Sequence, residues 1–525
     1  MKKVILIILD GYGISESQEG NPIKLVKPQN LNYLKENYPY CQLSASGEAV
    51  GLPIGEPGNS ETGHMNLGAG KVVLQNLLKI NKSIDNNSFF ENQILKKTIV
   101  HVNEYQSNIH LMGLIGNGNV HSSLKHLYAL LKFYKQNSLK QVYLHLFTDG
   151  RDSPPKSALE TIKQITQEIE NIGIGKIVSI MGRYYAMDRD FRWQRTEKAY
   201  KCLTEGSDNI KISAEEAIQQ SYDKRILDEF IEPVNIKDET NNIHLIKNND
   251  AVVFINFRID RPRQLTKAFV LENFEKTANE ISSFKPEQIP FQRKIKLTNL
   301  YFVTMTQYQK GLSVNIAFPS FPLTSTVGEI ISKNNLRQLR LTESEKERMV
   351  TYYFNGQNEN PYNNEFRIII PSPKVATYDK KPEMSAFEIT NALIEEIKTQ
   401  KNNFILVNFA NTDMVGHTGI MDACKIAIKT IDECIEKIVK ESLQNNYSLL
   451  ITADHGNIEQ KINPQTKLVS TQHTSNPVPF FFIDNDFKNK TLNIKDCKLA
   501  DVGTTILHLL GLEIPDEMNG KNLLG

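Results

Sequence analysis

The sequence predicts an α/β protein built on parallel strands, and two observations indicate it. Residues 4–9, 404–409 and 447–451 are continuous apolar runs bounded by polar or turn-forming residues, which is the pattern of strands buried on both faces of a parallel sheet. Between such runs lie amphipathic segments with apolar residues three or four positions apart, as in helices that cover a sheet.

The same patterns predict the other elements along the chain. Strands are expected at residues 109–115, 142–147, 177–181 and 251–257. Helices are expected at residues 158–171, 386–399 and 423–443. The sequence contains no internal repeat, which argues against a repeat architecture.

Composition limits the class of protein. The chain has 525 residues, a length that favours roughly two to four domains. Hydrophobic residues make up 40% and charged residues 23%, which are ordinary values for a globular protein. The formal net charge of +1 produces no overall field that would attract nucleic acid or a membrane surface, so neither is expected as a partner.

The cysteines and the amino terminus favour a cytoplasmic protein. Five cysteines are scattered without C-x-x-C spacing, which predicts reduced thiols. The apolar run after Lys2 and Lys3 ends at Asp10 and is too short for a signal peptide. No run approaches the roughly 18 apolar residues of a membrane helix.

The first three apolar runs all lead to acidic and imidazole side chains. Asp10 follows the first run, Asp413 and His417 follow the second, and Asp454 and His455 follow the third. Because ligands of α/β sheets bind at the carboxyl ends of the strands, we expect these groups to meet in one site. Gathered carboxylates repel one another unless cations compensate them, so the cluster predicts a metal-dependent enzyme.

Each histidine taken alone has a simpler interpretation, as a hydrogen-bonded core or loop residue. His473 adds a further imidazole, in a polar loop before the apolar run 480–483. Because most of these histidines lie just past a strand end, a shared metal site is the favoured interpretation. The mixed oxygen and nitrogen ligands suit Mn²⁺ or Zn²⁺ better than Ca²⁺.

A hydroxyl flanked by glycines forms the second signal, at Ser60 within residues 58–64. A serine beside a divalent cation can ionise and act as a nucleophile. A serine before a glutamate is also typical of a helix N-cap, and the spacing alone leaves both interpretations open.

Basic motifs occupy the middle third of the chain, at residues 149–152, 182–185, 188–190 and 256–261. Most of them follow predicted strands, where guanidinium groups can bind a carboxylate or a phosphate. The interleaved aspartates leave open a solvated face of local ion pairs, and they argue against nucleic acid.

The predicted metal cluster joins the first residues to the last quarter of the chain, so the middle third is expected to be an inserted domain. The chain would cross between domains near residues 74–83 and 311–326. The second stretch is rich in proline and serine, as in a hinge or linker.

Taken in order, these motifs strongly resemble the long, two-domain form of the 2,3-bisphosphoglycerate-independent phosphoglycerate mutases, a family of the alkaline phosphatase superfamily. The resemblance runs essentially end to end. The segments that carry it are residues 9–13, 47–53, 58–64, 148–152, 181–185, 371–379, 408–419, 452–457 and 476–479.

The resemblance implies a discontinuous phosphatase-like α/β domain at residues 1–77 and 315–525, with an inserted α/β substrate-binding domain at residues 78–314. It also implies two Mn²⁺ ions per chain, with Ser60 as the nucleophile. The ligands of one ion would be Asp10, Ser60, Asp454 and His455, and those of the other would be Asp413, His417 and His473.

By the same resemblance, Lys346 would contact the phosphoryl group from the phosphatase side, and Asp152 would carry a proton between the two substrate hydroxyls. The residues that would bind the glycerate and its phosphate are His121, Arg151, Asp152, Arg183, Arg189, Arg258 and Arg261.

The implied activity is the interconversion of 3-phosphoglycerate and 2-phosphoglycerate in glycolysis and gluconeogenesis, through a phosphoserine and without 2,3-bisphosphoglycerate. The small-molecule substrate is the expected partner, and the chain is expected to be a monomer.

The chain departs from the family pattern at residues 117–119, at Gln194 and at residues 347–349, and residues 281–293 predict an insertion. One alternative is a phosphatase, or another mutase of the superfamily, acting on a different phosphate ester. A catalytically dead binding protein is the other alternative; it would have lost a ligand or the nucleophile, and neither is lost.

Overall fold

The structure, a computed structural model, describes residues 2–279, 288–319, 323–491 and 495–525. Its backbone contacts divide the chain into two units, which we call the split unit (Met1–Gln75 with Phe321–Gly525) and the inserted unit (Asn76–Ser320). The sequence predicts these divisions after residues 77 and 314, and the roles of the two units stay predictions. Most of the predicted insertion at residues 281–293 lies outside the described residues, as do residues 320–322 of the predicted second crossing.

The elements are numbered in chain order over the described residues. The strands are β1 (Lys3–Leu9), β2 (Tyr40–Leu43), β3 (Ile109–Ile115), β4 (Val142–Thr148), β5 (Lys176–Gly182), β6 (Ile210–Lys211), β7 (Val234–Ile236), β8 (Ala251–Phe254), β9 (Tyr301–Thr304), β10 (Asn315–Ile316), β11 (Gln338–Glu343), β12 (Glu365–Ile370), β13 (Phe404–Phe409), β14 (Tyr447–Thr452) and β15 (Val478–Ile483). The helices are α1 (Pro22–Val26), α2 (Gln29–Asn37), α3 (Ser60–Ala69), α4 (Asn76–Asp85), α5 (Gln93–Tyr105), α6 (Leu124–Gln136), α7 (Ala158–Ile172), α8 (Arg183–Ala186), α9 (Trp193–Thr204), α10 (Ala214–Asp223), α11 (Arg263–Val270), α12 (Phe274–Thr277), α13 (Val327–Lys333), α14 (Ala386–Thr399), α15 (Asn411–Gly416), α16 (Met421–Gln444) and α17 (Ala500–Leu509).

The predicted α/β class and the predicted strands and helices are confirmed, with one strand shorter than expected. β8 ends at Phe254, whereas the apolar run continues to residue 257. The strand ends there because a side chain takes the place of a backbone acceptor in the strand pairing. Leu114 N of β3 donates to Oδ1 of Asn256 at 3.0 Å. Phe257 N then donates to the carbonyl of His121 at 2.8 Å, so the chain turns toward the loop after β3.

The split unit contains a seven-stranded sheet in the order β12-β11-β13-β1-β14-β15-β2. The first five strands are parallel, and β15 is antiparallel to both of its neighbours. Leu6 of β1 pairs with Leu406 of β13 on one side and with Leu450 of β14 on the other. The three apolar runs at residues 4–9, 404–409 and 447–451 are therefore adjacent strands, and their carboxyl ends share one edge.

Helix α16 shows how the covering helices are specified by their sequence. Cys424, Ile428, Ile431, Ile435 and Ile438 recur at three- and four-residue spacing, and all five are buried in the core of the split unit. Burying side chains of this size stabilises the fold by about 1.5–3 kcal/mol each. The helix packs on α14 and β14 and also against the short helix α15.

The inserted unit contains an eight-stranded sheet in the order β10-β9-β8-β3-β4-β5-β7-β6. Its strands are parallel except where β7 meets β5. Two apolar clusters cover the sheet. Three of the four predicted basic motifs follow the carboxyl ends of β4, β5 and β8, and residues 188–190 follow α8.

Two further predictions, of reduced cysteines and of no membrane helix, can be compared with the structure. All five cysteines are free thiols, as predicted from their spacing. No helix in the described ranges combines the length and the apolar character needed to cross a membrane.

Candidate functional site

The site of the split unit lies at the carboxyl ends of its central strands. Asp10 follows β1, Asp413 lies in α15 just after β13, and Asp454 follows β14. All three carboxylates are buried, with 0–2% exposure. Lys346, which is also buried, follows β11 on the same sheet.

Ser60 is the first residue of α3, and its hydroxyl is directed at this cluster. The N-cap of α3 is Asn59, whose Oδ1 accepts a hydrogen bond from Thr62 N at 2.9 Å. Since Asn59 caps the helix, the hydroxyl of Ser60 is available for other partners. Its Oγ lies 3.2 Å from Oδ1 of Asp10 and 3.0 Å from Nε2 of His455.

Helix α3 packs closely against the loop that follows β14, and this packing brings Ser60 to the carboxylate cluster. A Cβ atom on Gly63 would lie 2.5 Å from the carbonyl oxygen of Asp454. Only glycine permits so close an approach of the two backbones. The glycines of residues 58–64 therefore position the helix that carries the serine.

The ammonium of Lys346 lies among the acidic groups. Its Nζ donates to Oδ1 of Asp10 at 2.7 Å, to Oδ2 of Asp413 at 2.7 Å and to Oγ of Ser60 at 2.8 Å. These three hydrogen bonds use all the donors of an ammonium group. A cation therefore already lies where the carboxylates converge.

A backbone carbonyl orients each of the three predicted histidine ligands through the Nδ1 atom of its ring. Nδ1 lies 2.7 Å from Thr471 O in His417, 2.9 Å from Gly58 O in His473 and 3.2 Å from Gly456 O in His455. A ring nitrogen next to a carbonyl must carry a proton, so in the neutral form of each ring the lone pair lies on Nε2. Such orientation through the other ring nitrogen is typical of metal-binding histidines.

The Nε2 atoms converge on the carboxylates. Those of His417 and His473 lie 3.1 Å apart, and they lie 3.3 and 3.4 Å from Oδ1 of Asp413. Nε2 of His455 lies 3.6 Å from both Oδ1 of Asp10 and Oδ2 of Asp454. The structure thus brings together both predicted ligand sets, including Ser60.

The pKa values follow from this crowding. Burial lowers the pKa of His455, but the charge of Asp454 outweighs burial and raises it to about 10. Burial raises the pKa of Asp413, and the charge of Lys346 reverses this and holds the pKa well below its usual range. The pKa of Lys346 is raised against its burial, chiefly by Asp10. Three carboxylates therefore face two cationic groups, and the excess negative charge favours a further cation.

The donor set fits divalent metal ions. Among the described residues, two groups of three side chains have ligand atoms within 4.8 Å of one another. They consist of Asp413, His455 and His473, and of Asp10, His64 and Asp454. Oδ2 of Asp454 is buried and lies 3.2 Å from Nδ1 of His64, without the geometry of a hydrogen bond, so this oxygen can still serve a metal.

His64 is a further residue of the site, which was not predicted from the sequence. Its Nδ1 lies 2.9 Å from Ser60 O, and its Nε2 lies 3.0 Å from Nδ2 of Asn408. Nδ2 of Asn408 also donates to Oδ2 of Asp10 at 2.8 Å. Because both ring nitrogens have protein partners, His64 supports Ser60 and Asp10 from behind. Its spacing of four from Ser60, on one face of a helix, was the available signal.

A second candidate site lies in the inserted unit, around Arg183. This arginine is 2% exposed, and its guanidinium donates to Asp149 and Asp152 at 2.6 Å each. His121 Nε2 lies 3.6 Å from Oδ2 of Asp152. Burial, followed by the charge of Arg183, lowers the pKa of His121 to about 4, so its ring is neutral at neutral pH.

Asp260, also missed by the sequence analysis, connects the other predicted residues of this site. Arg189 lies 2.8 Å and Arg258 3.4 Å from its carboxylate, and Nδ1 of His121 lies 3.7 Å away. Arg261 donates to the carbonyl of Met187 at 3.2 Å. Local ion pairs, the alternative interpretation of these motifs, are therefore present as well.

The arginines are nevertheless close enough to repel one another. The pKa of Arg261 is lowered by burial and then by the charges of Arg183, Arg189 and Arg151. Arg151 itself is half-exposed and lies 3.5 Å from Glu229. Positive charge concentrated around a neutral histidine suits a small anion that carries more than one charge.

Comparison with known proteins agrees with both units. Residues 80–310 match the family described as BPG-independent PGAM N-terminus, and residues 272–475 match Type I phosphodiesterase / nucleotide pyrophosphatase. The 2,3-bisphosphoglycerate-independent phosphoglycerate mutase of Clostridium beijerinckii is 47% identical to this chain, and the alignment covers 100% of this chain and 99% of the relative. The chain belongs to this mutase family.

Two other proteins are similar to this chain over nearly the whole length of both sequences. The 2,3-bisphosphoglycerate-independent phosphoglycerate mutase 1 of Methanosarcina barkeri is 46% identical, covering 100% of this chain and 98% of that protein. The crystal structure of Leishmania mexicana phosphoglycerate mutase, determined at low cobalt concentration, has a TM-score of 0.63 and 27% identity, covering 99% of this mutase and 97% of that chain. The predicted phosphatase-superfamily fold and family membership are therefore confirmed.

Proposed function

We propose that this chain interconverts 3-phosphoglycerate and 2-phosphoglycerate without 2,3-bisphosphoglycerate, through a phosphoserine at Ser60. The observation that carries the proposal is the environment of the Ser60 hydroxyl, which lies within 3.2 Å of Asp10, His455 and Lys346. A serine surrounded by a base, a cation and metal-type ligands is equipped to attack a phosphoryl group.

Two divalent metal ions, Mn²⁺ in our proposal, complete the site. One would be held by Asp10, Ser60, Asp454 and His455, and the other by Asp413, His417 and His473. When bound, the ions supply positive charge that lowers the pKa of the serine hydroxyl and stabilises charge on the phosphoryl oxygens. The converging Nε2 atoms and the excess of buried carboxylates support these assignments.

The first transfer starts with Ser60. Its Oγ, which would lose its proton when the metal ions bind, attacks as the ionised oxygen the phosphorus of 3-phosphoglycerate, and the bond from phosphorus to the C3 oxygen breaks. The C3 oxygen takes up a proton, which Asp152 delivers. Lys346, which already donates to Ser60 Oγ, offsets negative charge on the transferred group. The products are phosphoserine and glycerate.

The second transfer reverses this order at the other hydroxyl. Asp152 accepts the proton of the C2 hydroxyl, and the C2 oxygen attacks the phosphorus of phosphoserine. The bond from phosphorus to Ser60 Oγ breaks, which yields 2-phosphoglycerate and regenerates the ionised serine. No proton or phosphate is gained or lost over the cycle.

The inserted unit would hold the glycerate between these steps. Its arginines offer bidentate donors for the carboxylate of the glycerate, and neutral His121 offers a hydrogen bond to a hydroxyl. The concentrated positive charge around Arg261 supports a substrate that carries both a carboxylate and a phosphate. A cytoplasmic location and a monomeric state remain our predictions.

The test is conversion of 3-phosphoglycerate to 2-phosphoglycerate, coupled to enolase, in the absence of 2,3-bisphosphoglycerate. The reaction is run with Mn²⁺ and with a chelator, while inorganic phosphate is measured in parallel. We expect 2-phosphoglycerate to form only with metal and without release of phosphate. Phosphate release in place of 2-phosphoglycerate would show a phosphatase and would overturn the proposal.

A further inference from the structure

Lys461 is a buried lysine of the split unit that the proposed reaction does not use. Its exposure is 1%, and within the described residues it forms no ion pair with a carboxylate. Its Nζ donates to two neutral acceptors, Gly416 O at 3.0 Å and Oδ1 of Asn457. Burial lowers the pKa of this amine. Because an unpaired buried ammonium is costly, this position calls for a specific role.

Asn457 connects Lys461 to the metal site. Its Nδ2 donates to Oδ1 of Asp413 at 2.7 Å and lies 3.3 Å from the Asp413 carbonyl. An ammonium only donates hydrogen bonds, and a carboxylate only accepts them. The amide between them must therefore turn its oxygen to Lys461 and its nitrogen to Asp413. Lys461 and Asp413 thus together determine which way the amide faces.

The second contact of Lys461 is with the end of α15. Gly416 is the last residue of this helix and directly precedes His417. A Cβ atom on Gly416 would lie 2.8 Å from Oδ1 of Asn457, so the amide packs directly on the helix backbone. Lys461, Asn457 and Gly416 form one packed cluster behind the predicted ligands Asp413 and His417.

We propose that Lys461 is a positioning residue of the metal site. Through Asn457 it orients Oδ1 of Asp413, and through the Gly416 carbonyl it holds the segment that leads to His417. The inference rests on the proposed function, because it takes Asp413 and His417 as metal ligands. Residues that orient ligands in this way contribute about 10- to 100-fold to metal affinity.

A purely electrostatic role would have the opposite sign. A positive charge near a cation site weakens binding of the cation through repulsion. Removal of the charge would then tighten Mn²⁺ binding, whereas loss of the orienting contact weakens it. The direction of the change therefore distinguishes the two roles.

The test is the Mn²⁺ dissociation constant of the metal-free protein, measured by titration calorimetry. For Lys461→Met we expect Mn²⁺ to bind about 10- to 100-fold more weakly than to the wild type. Lys467→Met is the matched control. Lys467 lies six residues after Lys461, is exposed and forms an ion pair with Glu19. Its Mn²⁺ affinity is expected to equal that of the wild type. Thermal unfolding without metal checks that each variant is folded.

Two further variants keep the test decisive. Gly416→Ala leaves Lys461 in place but displaces the side-chain amide of Asn457, so this variant is also expected to weaken Mn²⁺ binding. It replaces Lys461→Met in the test if Lys461→Met does not fold. In an Asn457→Ala background, Lys461→Met is expected to weaken Mn²⁺ binding by less than it does in the wild type, because its route to Asp413 is already lost and only its contact with the Gly416 carbonyl remains.

Unchanged or tighter Mn²⁺ binding by folded Lys461→Met would overturn this inference alone, and so would a full additional loss in the Asn457→Ala background. If the wild-type protein binds no Mn²⁺ and forms no 2-phosphoglycerate, the proposed function fails together with this inference.

Discussion

The Nζ atom of Lys346 lies 2.7 Å from Oδ1 of Asp10, although the two residues are 336 positions apart in the chain. The same ammonium bonds Asp413, so one lysine offsets two buried carboxylates beside the proposed nucleophile. It is the only lysine of the described residues that bonds either of these aspartates.

Lys346→Met is therefore expected to affect both stability and rate. Without metal, Asp10 and Asp413 lose their paired cation, and the free energy of unfolding should fall by about 3–5 kcal/mol. With Mn²⁺ the stability should largely return, but kcat should fall about 10²- to 10³-fold, because a donor to the transferred group is missing. Urea unfolding with and without Mn²⁺, together with steady-state kinetics, measures these effects.

Lys398→Met is the control for this change, because Lys398 is exposed and forms a surface ion pair with Glu395. Its loss should leave the free energy of unfolding and kcat nearly unaltered, because a surface ion pair contributes little. Equal effects of the two substitutions would contradict the role given to Lys346.

Ser60→Ala tests the nucleophile. The variant should retain its fold and bind Mn²⁺, since the imidazole and carboxylate groups remain. Turnover should fall by about 10⁴-fold or more, as for other enzymes that lose their nucleophile. Mass spectrometry after incubation with 3-phosphoglycerate should detect a phosphorylated serine in the wild type and none in the variant.

The control for Ser60 is Ser46→Ala, because Ser46 is only partly buried and bonds the carbonyl of Ser475. It should keep both turnover and the phosphorylated species. An unfolded Ser60→Ala protein would mean that Ser60 is structural.

Asp152→Asn tests the proton carrier. Arg183 should stay in place, because Asp149 also accepts from it at 2.6 Å. We therefore expect KM to change little and kcat to fall about 10²- to 10⁴-fold. The exposed Asp190, replaced by Asn, is the control and should retain wild-type kinetics. A change confined to KM would show that Asp152 binds substrate without moving a proton.

The stability of the fold should depend on pH through His126. Burial lowers the pKa of this histidine from 6.5 to about 3, and its Nε2 lies 3.0 Å from Oδ1 of Asn81. The unfolded chain binds a proton below about pH 6.5, whereas the folded protein does not until about pH 3, so stability is lost as the pH falls through this window. At pH 5 the loss from this residue is about 2 kcal/mol.

Chemical unfolding at pH 7 and pH 5 measures this effect. In His126→Gln, whose amide can still donate to Asn81, the difference between the two pH values should be smaller by that amount. An unaltered difference would mean that His126 does not titrate as its burial requires.

Several parts of the site could be read from the sequence because each lies within a short segment. The apolar runs around β1, β13 and β14 predict strands, and the groups at their ends predict a common edge. The glycines around Ser60 and the arginine motifs are equally local signals. These inferences need only the periodicity of strands and the steric freedom of glycine.

Other residues had no local signal. Asn408 lies inside β13 and reads as a buried strand position, yet its amide joins Asp10 to His64. In the sequence Asp260 resembles a counter-ion within a basic motif, yet its carboxylate lies within 4 Å of Arg189, Arg258 and His121. Apart from Arg258, their partners lie far away in the chain, so spacing along the sequence gives no signal for these contacts.

By itself the sequence determined the α/β class, the positions of the main strands and helices, and the family to which the chain belongs. Only the tertiary structure decided that Asn59 rather than Ser60 caps α3, and that Lys461 faces Asp413 through the amide of Asn457. The physical reason is that strands and helices arise from local periodicity and burial, whereas hydrogen bonds and charges act over a few ångströms between residues far apart in the chain.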